Sequence, residues 1–551
     1  MTDLLKIAGG RVLDPTNDVD AVRDLWIRDG KIVAEPERGE RPTRVVDATG
    51  DVVMPGGVDM HSHIAGSKVN IGRGLSPEAR RTGEFVSGPR TLGGADARWS
   101  LGNVPTTVAT GLRYSGLGYT TAFDAAVAPL LSPLAHRDLA ETPNLDTGCF
   151  LVIGNDRRYL ELLAAGDRTA AREYLAWILN AARGYAFKLV NPGNVEAWKR
   201  GRPHGFTDLD APLPGIKTSP RAILRETAAL IDELALPHPA HVHCNDLGLP
   251  GNWRTTLETI RARRRDAHLC HIQYHSYLGG DGDETTFGSA TEKLLAAIEE
   301  RPNLSFDVGQ ALLGPATIMT GDSPAAQFLA KLTGGRRVNH DLECAGGCGV
   351  MPIEYKNTSV VHAWQFVIGL EWFLLARDPW RLALTTDHPN GAVFWRYPFL
   401  IRLLMDAAYR RETLAKLPRV VRERTAIRGV EREYTLREIC ILTRAAPAKL
   451  LGLTDRGHLG VVRERTSRFT ARRRISRRCS KSPSRCFRTA ARWSREANSA
   501  PRRRANSYES RDRSTRAACR GIANGSRGIC RSTSIASRLR GREKRKLFVS
   551  A

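Results

Sequence analysis

The stretch "MPGGVDMHSHIAG", residues 54–66, ends an apolar run in two imidazoles, His61 and His63. Side chains alternate faces along a β-strand, so two residues in positions i and i+2 point the same way. Two imidazoles on one face of a strand end can grip one metal ion. They can equally be a chance surface pair, and the rest of the chain has to discriminate.

Several other short apolar runs end in groups that can bind metals. "HVHCND" (241–246) offers His241 and His243, and "HLCHIQYH" (268–275) offers His268, His271 and His275. "LTTDHPNG" (384–391) offers Asp387, followed by His388. Imidazole and carboxylate suit zinc, and a carboxylate can bridge two ions. "YAFKLVNPG" (185–193) carries Lys188 on an apolar strand. A buried ammonium is costly, so it must snorkel, pair or be modified. With one carboxylate for two dications, a carbamate on Lys188 would supply a bridging anion.

The runs belong to a repeating grammar. "GYTTAFDAAV", "YAFKLVN", "HLCHIQYH", "LSFDVGQ" and "RLALTTDH" read as strands. Between them "TAAREYLAWILNAARG", "PRAILRETAALIDELAL", "TTLETIRARRRDA" and "SATEKLLAAIEERP" repeat apolar residues at three and four, the helical period. Alternating strands and helices predict an α/β fold, a (β/α)8 TIM-like barrel, whose sites sit at the strand C-terminal ends. "LLKIAGGRVLD", "DLWIRDGKIVA" and "RVVDATGDVVMPG" precede it as short strands with Gly and Asp turns. The expected organisation is strands of a small β-sandwich domain over 1–54 and the barrel over 55–435. "TLREICILTRAAPAKLLGL" then reads as one amphipathic helix and "RGHLGV" as a turn into a returning strand, together 436–460.

After Val461 this grammar collapses. The chain holds 83 Lys+Arg and 58 Asp+Glu, for a net charge of +25; 28 and 5 of these lie from 461 onward. The preceding 460 residues keep 55 and 53, nearly balanced. "RFTARRRISRRCSKSPSRCFRTAARW" (468–493) interleaves Phe469, Phe487 and Trp493 with Arg, as a nucleic-acid arm would. The body supplies no basic excess to match it, so nucleic acid is not the expected partner. The 461–551 segment reads as disordered. Its Arg, Ser, Ala and Cys bias is also that of GC-rich DNA translated out of frame, the preferred account of it. Six cysteines are scattered through the body without a disulfide or cluster-binding spacing, "ECAGGC" (Cys344, Cys348) being a lone pair. There is no signal-peptide pattern and no apolar run of roughly 18 residues or more. A cytoplasmic protein without a membrane span is expected.

These residues together resemble the amidohydrolase superfamily. "PGGVDMHSH" is similar to its strand-1 signature, "HCND" and "HIQ" to its strand-5 and strand-6 histidines, and "TTDHPNG" to its strand-8 aspartate. The resemblance implies the ligands His61, His63, carboxylated Lys188, His243, His271 and Asp387 around two divalent ions, taken as Zn²⁺. His243 is preferred to His241 because the family's ligand directly precedes a short polar segment. Asp387 is expected to act as the catalytic base that takes a proton from water and delivers it to the leaving amine, a binding-only role being the alternative.

A narrower resemblance, over residues 5 to 460, is to the family of A-type subunits found in formylmethanofuran dehydrogenase and in its bacterial formyltransferase/hydrolase counterpart. "HSHIAGSKVNIGR", "KLVNPGN", "HVHCNDLGLPGN" and "TTDHPNGAVFWRYP" carry it. It implies reversible hydrolysis of N-formylmethanofuran, or its bacterial analogue, to formate and free amine within a complex of other subunits. The Arg- and Ala-rich composition favours the bacterial role, running towards formate. Such carriers are acidic, and Lys68, Arg73 and Arg80 follow strand 1; they meet the carrier or are simply solvated. A dihydroorotase- or hydantoinase-like amidohydrolase is the alternative within the superfamily.

Overall fold

The computed structural model describes residues 3–37, 39–79, 84–90, 96–202, 205–262, 265–280, 284–340 and 348–461. The basic tail from 462 onward, Arg80 and Cys344 lie outside them.

The N-terminal strands make one five-stranded sheet: β1 (Leu4–Asp14), β2 (Val19–Arg28), β3 (Lys31–Val33), β4 (Arg44–Asp47) and β5 (Val52–Val53). β1 is central, antiparallel to β2 and parallel to β4 and β5. Its ladder slips between Ile7 and Gly10. Gly9 there has φ +69°, and a Cβ would lie 2.7 Å from Thr49 Oγ1, so only glycine fits the bulge. Leu5, Ile7, Val12, Leu25, Ile27 and Val53 form the core of this sheet.

Eight parallel strands then pair in sequence order: β6 (Gly57–Ser62), β7 (Tyr119–Val127), β8 (Asp146–Val152), β9 (Ala186–Val190), β10 (Ala240–His243), β11 (Ala267–Leu269), β12 (Leu304–Asp307) and β13 (Leu382–Ala383). Ser62 bridges to His388, and the His63 amide donates to the His388 carbonyl at 2.6 Å, which joins the last strand to the first. This is the expected barrel. Helices on its outside include Arg168–Ala181, Pro220–Glu233 and Thr291–Glu299. Asp167 and Ser219 cap the first two by accepting from Ala170 and Ala222 amides. Val360–Leu375 is buried along nearly its whole length from Ala363 on.

Two features differ from expectation. The single helix expected over "TLREICILTRAAPAKLLGL" is α (Leu436–Cys440), π (Ile441–Ala445), then α (Ala446–Leu450). Pro447 has no N–H to give the preceding turn, and the widened turn frees the Leu442 carbonyl to accept from Leu384 of the barrel at 3.1 Å. The turn expected at "RGHLGV" forms, and within 456–461, the last described residues, no strand follows it. Gly457 turns the chain at φ +75°, and its hydrogen bonds go to side chains instead of a ladder. The Leu459 amide donates to Asp14 Oδ2 at 2.7 Å, and the Gly457 carbonyl accepts from Thr16 Oγ1 at 3.0 Å. Leu459 thereby enters the core of the small sheet. Among the described residues that domain is one sheet, without the second layer of a sandwich.

Asp14 ties these distant segments, since it also accepts from the Thr16 amide and from Asn17 Nδ2. Asp14→Ala leaves buried donors without acceptors and is expected to cost about 1–3 kcal/mol. Denaturant titration would read this as a lowered midpoint; an unchanged midpoint would refute the role.

Candidate metal centre

The barrel interior changes character along its axis. At the strand starts Val58, Met60, Phe123, Phe150, Tyr185 and Leu451 form an apolar plug. One layer above it, Lys188 pairs in register with His241, and His241 with His268. Interior barrel layers usually hold branched aliphatics, so a buried ionisable layer needs partners.

Asp307, at the end of β12, supplies them. Its Oδ2 accepts from His61 Nδ1 at 2.9 Å and from His268 Nε2 at 3.1 Å. Its Oδ1 accepts from the His271 main-chain amide at 2.7 Å. Burial alone would raise this carboxyl, but His61 and His268 hold it far below the usual range, so it is a carboxylate. A carboxylate on Nδ1 holds a proton there and turns His61 Nε2 to the chamber. That atom faces Lys188 Nζ at 3.0 Å and Asp387 Oδ1 at 3.2 Å.

His63 Nε2 lies 3.1 Å from the same Asp387 oxygen, which has no hydrogen-bond partner although fully enclosed. Two imidazole nitrogens and a carboxylate oxygen thus converge on one point, a disposition suited to a cation. His63 is backed by Asp124 at 3.8 Å. Asp124 also accepts from Lys68 at 2.8 Å and from the Ile64 and Ala65 amides at 2.9 Å each. Lys68 is therefore a buried ion-pair partner of Asp124, which corrects the reading of it as a solvated loop residue. Arg73, by contrast, donates to Asn70 and the Pro105 carbonyl near the surface.

His243 and His271 stand across the chamber with ring centroids 4.6 Å apart, and the His271 ring is 5.1 Å from that of His61. His243 Nε2 and His271 Nδ1 are buried without hydrogen-bond partners. Burial keeps both imidazoles below their usual range, hence neutral and able to ligate. The structure brings all six residues expected as ligands to one chamber. His241 lies deeper, bonded to His61 and His238, and His388 packs on Phe394 and Trp395 outside the chamber.

Local backbone aims these groups. His271 (φ 36°) and Asp387 (φ 49°) are both left-handed, a conformation that costs a non-glycine residue about 1–3 kcal/mol and recurs at functional sites. Gly309 sits between them, and a Cβ there would be 2.5 Å from His271 Cβ. Three neighbours were missed in the sequence. Asp307 looked like any polar strand end, although a carboxylate facing HxH across a barrel is a usable signal. Asp322, 3.4 Å from His243 Nε2, arrives from a segment between β12 and β13. There Gly314–Thr320, Cys348–Tyr355 and Val338–His340 form an antiparallel sheet whose presence the repeat pattern did not announce. Cys270 is grouped with His61 and His241, but burial pushes its thiol well up, away from the thiolate.

A closed parallel barrel with histidine and aspartate at its strand ends defines a metal-dependent hydrolase, and the chain belongs to the amidohydrolase family, matching it over residues 44–462. Within that class the chain is 41% identical over 468 residues to the A component of the formyltransferase/hydrolase complex Fhc of Methylorubrum extorquens, covering 83% of this chain and 82% of that one. It is 40% identical over 474 residues to protein FwdA of Methanocaldococcus jannaschii, covering 83% and 81%. The crystal structure of the M. extorquens complex FhcABCD with methylofuran superposes with a TM-score of 0.76 at 41% identity, over 83% of this chain and 82% of that one.

Asp307→Asn keeps the shape but replaces a carboxylate with an amide that offers one acceptor. It is expected to weaken divalent-metal binding about 10–100-fold, as loss of a ligand-orienting partner does. Competition with a chelator, followed by elemental analysis, would measure it; wild-type metal retention would sink the role given to Asp307.

Proposed function

We propose that this chain hydrolyses the formamide of an N-formylmethanofuran-type carrier, releasing formate and the free amine. It would act in the cytoplasm as one component of a formyltransferase/hydrolase-type complex, towards formate. The observation that carries this reading is the 41% identity over most of both chains to a protein whose complex was crystallised with methylofuran. That breadth favours it over the dihydroorotase-like alternative. Among the described residues no helix is long and apolar enough to cross a membrane.

The donor set fits two divalent cations, which we take to be Zn²⁺. His61, His63 and Asp387 would hold one, and His243 and His271 the other. Lys188 would bridge them as a carbamate. In support, its Nζ is buried beside His61, and among the described residues it forms no ion pair. An ammonium so placed is unfavourable, whereas a carbamate would be an anion between two cations. When bound, the cations would make water a nucleophile near neutral pH and polarise the formyl oxygen.

The remaining work falls to the side chains. Burial tends to raise the Asp387 carboxyl, but His61 against its Oδ1 holds it well below the usual range, so it rests as a carboxylate. Asp387 takes one proton from the attacking water and passes it to the departing nitrogen as the C–N bond breaks. Asp307 and Asp124 keep His61 and His63 in place from behind.

Asp387→Asn is expected to abolish formate release from the formylated carrier, a loss of about 10²-fold or more, with circular dichroism unchanged. Appreciable turnover would overturn the assignment. Dialysis against a chelator should remove activity, and Zn²⁺ with bicarbonate should restore it better than Zn²⁺ in carbonate-free buffer. Equal recovery in both would argue against the carbamate.

A further inference from the structure

A line of hydrogen bonds runs down the barrel from the metal centre to its closed end. His61 Nδ1 meets His241 Nε2 at 3.1 Å, and His241 Nδ1 meets His238 Nε2 at 3.1 Å. His238 Nδ1 meets the Leu450 carbonyl at 2.7 Å. His238 lies just before β10 at the bottom of the barrel, stacked on Phe150 with ring centroids 5.2 Å apart. Leu450 ends the helix Ala446–Leu450, the last among the described residues, which caps that end, and the neighbouring Leu451 carbonyl accepts from Tyr185 Oη at 2.6 Å.

The direction of this line follows from its lower end. A main-chain carbonyl has no proton to give, so His238 must carry its hydrogen on Nδ1. Burial, with His268 nearby, pushes His238 down to about 3, so the ring is neutral and Nε2 is a bare acceptor. His241 must then donate through Nδ1 and offer a lone pair at Nε2. That lone pair faces the N–H of His61, the same hydrogen that Asp307 accepts at 2.9 Å. With the opposite tautomer, His241 would present an N–H against the N–H of His61.

We propose that His238 is a positioning residue for the metal centre: through His241 it transmits the polarity of the Leu450 carbonyl to His61, keeping Nε2 of His61 free to ligate. The inference rests on the reading of His61 as a ligand. It makes the final helix, remote from every ligand in sequence except by this line, part of the metal-binding apparatus.

The test is Co²⁺ titration of the metal-free full-length protein, read as a dissociation constant by chelator competition and as the visible d–d spectrum. His238→Phe keeps the stack on Phe150 but ends the line. His238→Asn keeps a polar group too short to span both partners. His238→Gln can donate to Leu450 and accept from His241, so it preserves the polarity. Phe and Asn variants are expected to bind Co²⁺ roughly tenfold more weakly with an altered spectrum, and Gln to resemble wild type. Tyr185→Phe, which loosens the same helix end outside the line, should leave both readouts unchanged. Should the Phe variant fail to fold, Asn against Gln decides. Wild-type affinity and spectrum in the Phe or Asn variant would overturn the proposal. A Gln variant as weak as Asn, or an equal loss in Tyr185→Phe, would do the same. Failure of the wild type itself to bind Co²⁺ would instead reject the ligand reading of His61, and this inference with it.

Discussion

Asp307 places a full negative charge inside the barrel, where an ion without partners costs several kcal/mol. It is tolerated because three donors from two segments converge on it: His61 from β6, and His268 with the His271 main chain from β11 and its end. Each of these contacts has a consequence. The bond to His61 sets which nitrogen faces the chamber. The bond to His268 holds the layer that carries His241. The bond to the His271 amide anchors a residue in the left-handed region, whose side chain faces His243. The six proposed ligands come from strands far apart in sequence, and this carboxylate on β12 locks two of those segments, β6 and the end of β11, together.

The electrostatics of the chamber follow from that lock. Asp124 is paired with Lys68, and Asp307 is hydrogen-bonded by the histidines around it. Asp387 has its Oδ1 turned to His61 and His63. Neutral imidazoles, an enclosed carboxylate and an enclosed lysine make a site whose charges are incomplete without cations. The apolar plug of Phe123, Phe150, Tyr185 and Leu451 closes the other end, so the chamber can be approached only from the strand C-terminal ends.

Much of this was legible in the sequence because it obeys short periods. The alternation of strands puts His61 and His63 on one side, and the strand–helix repeat predicts the barrel and the end at which they lie. The same period of two could not separate His241 from His243, since both share a face; depth along the barrel separates them, and depth depends on strand stagger. Lys68 looked solvated because its partner, Asp124, lies on β7, 56 residues away. At "RGHLGV" the described residues 456–461 make the turn but no ladder, since the Asp14 carboxylate takes the Leu459 amide.

The sequence by itself determined the class of the fold, the chemistry of the donors and the strand ends that bear them, because each is written in residue type and spacing over a few positions. It also located the excess charge after residue 460, away from the barrel. Only the tertiary structure decided which nitrogen of each histidine faces the chamber, that Asp307 and Asp322 belong to its surroundings, and that Leu450 is connected to His61. Those properties arise from contacts across hundreds of residues, where hydrogen-bond direction and burial, which no local pattern encodes, determine the outcome.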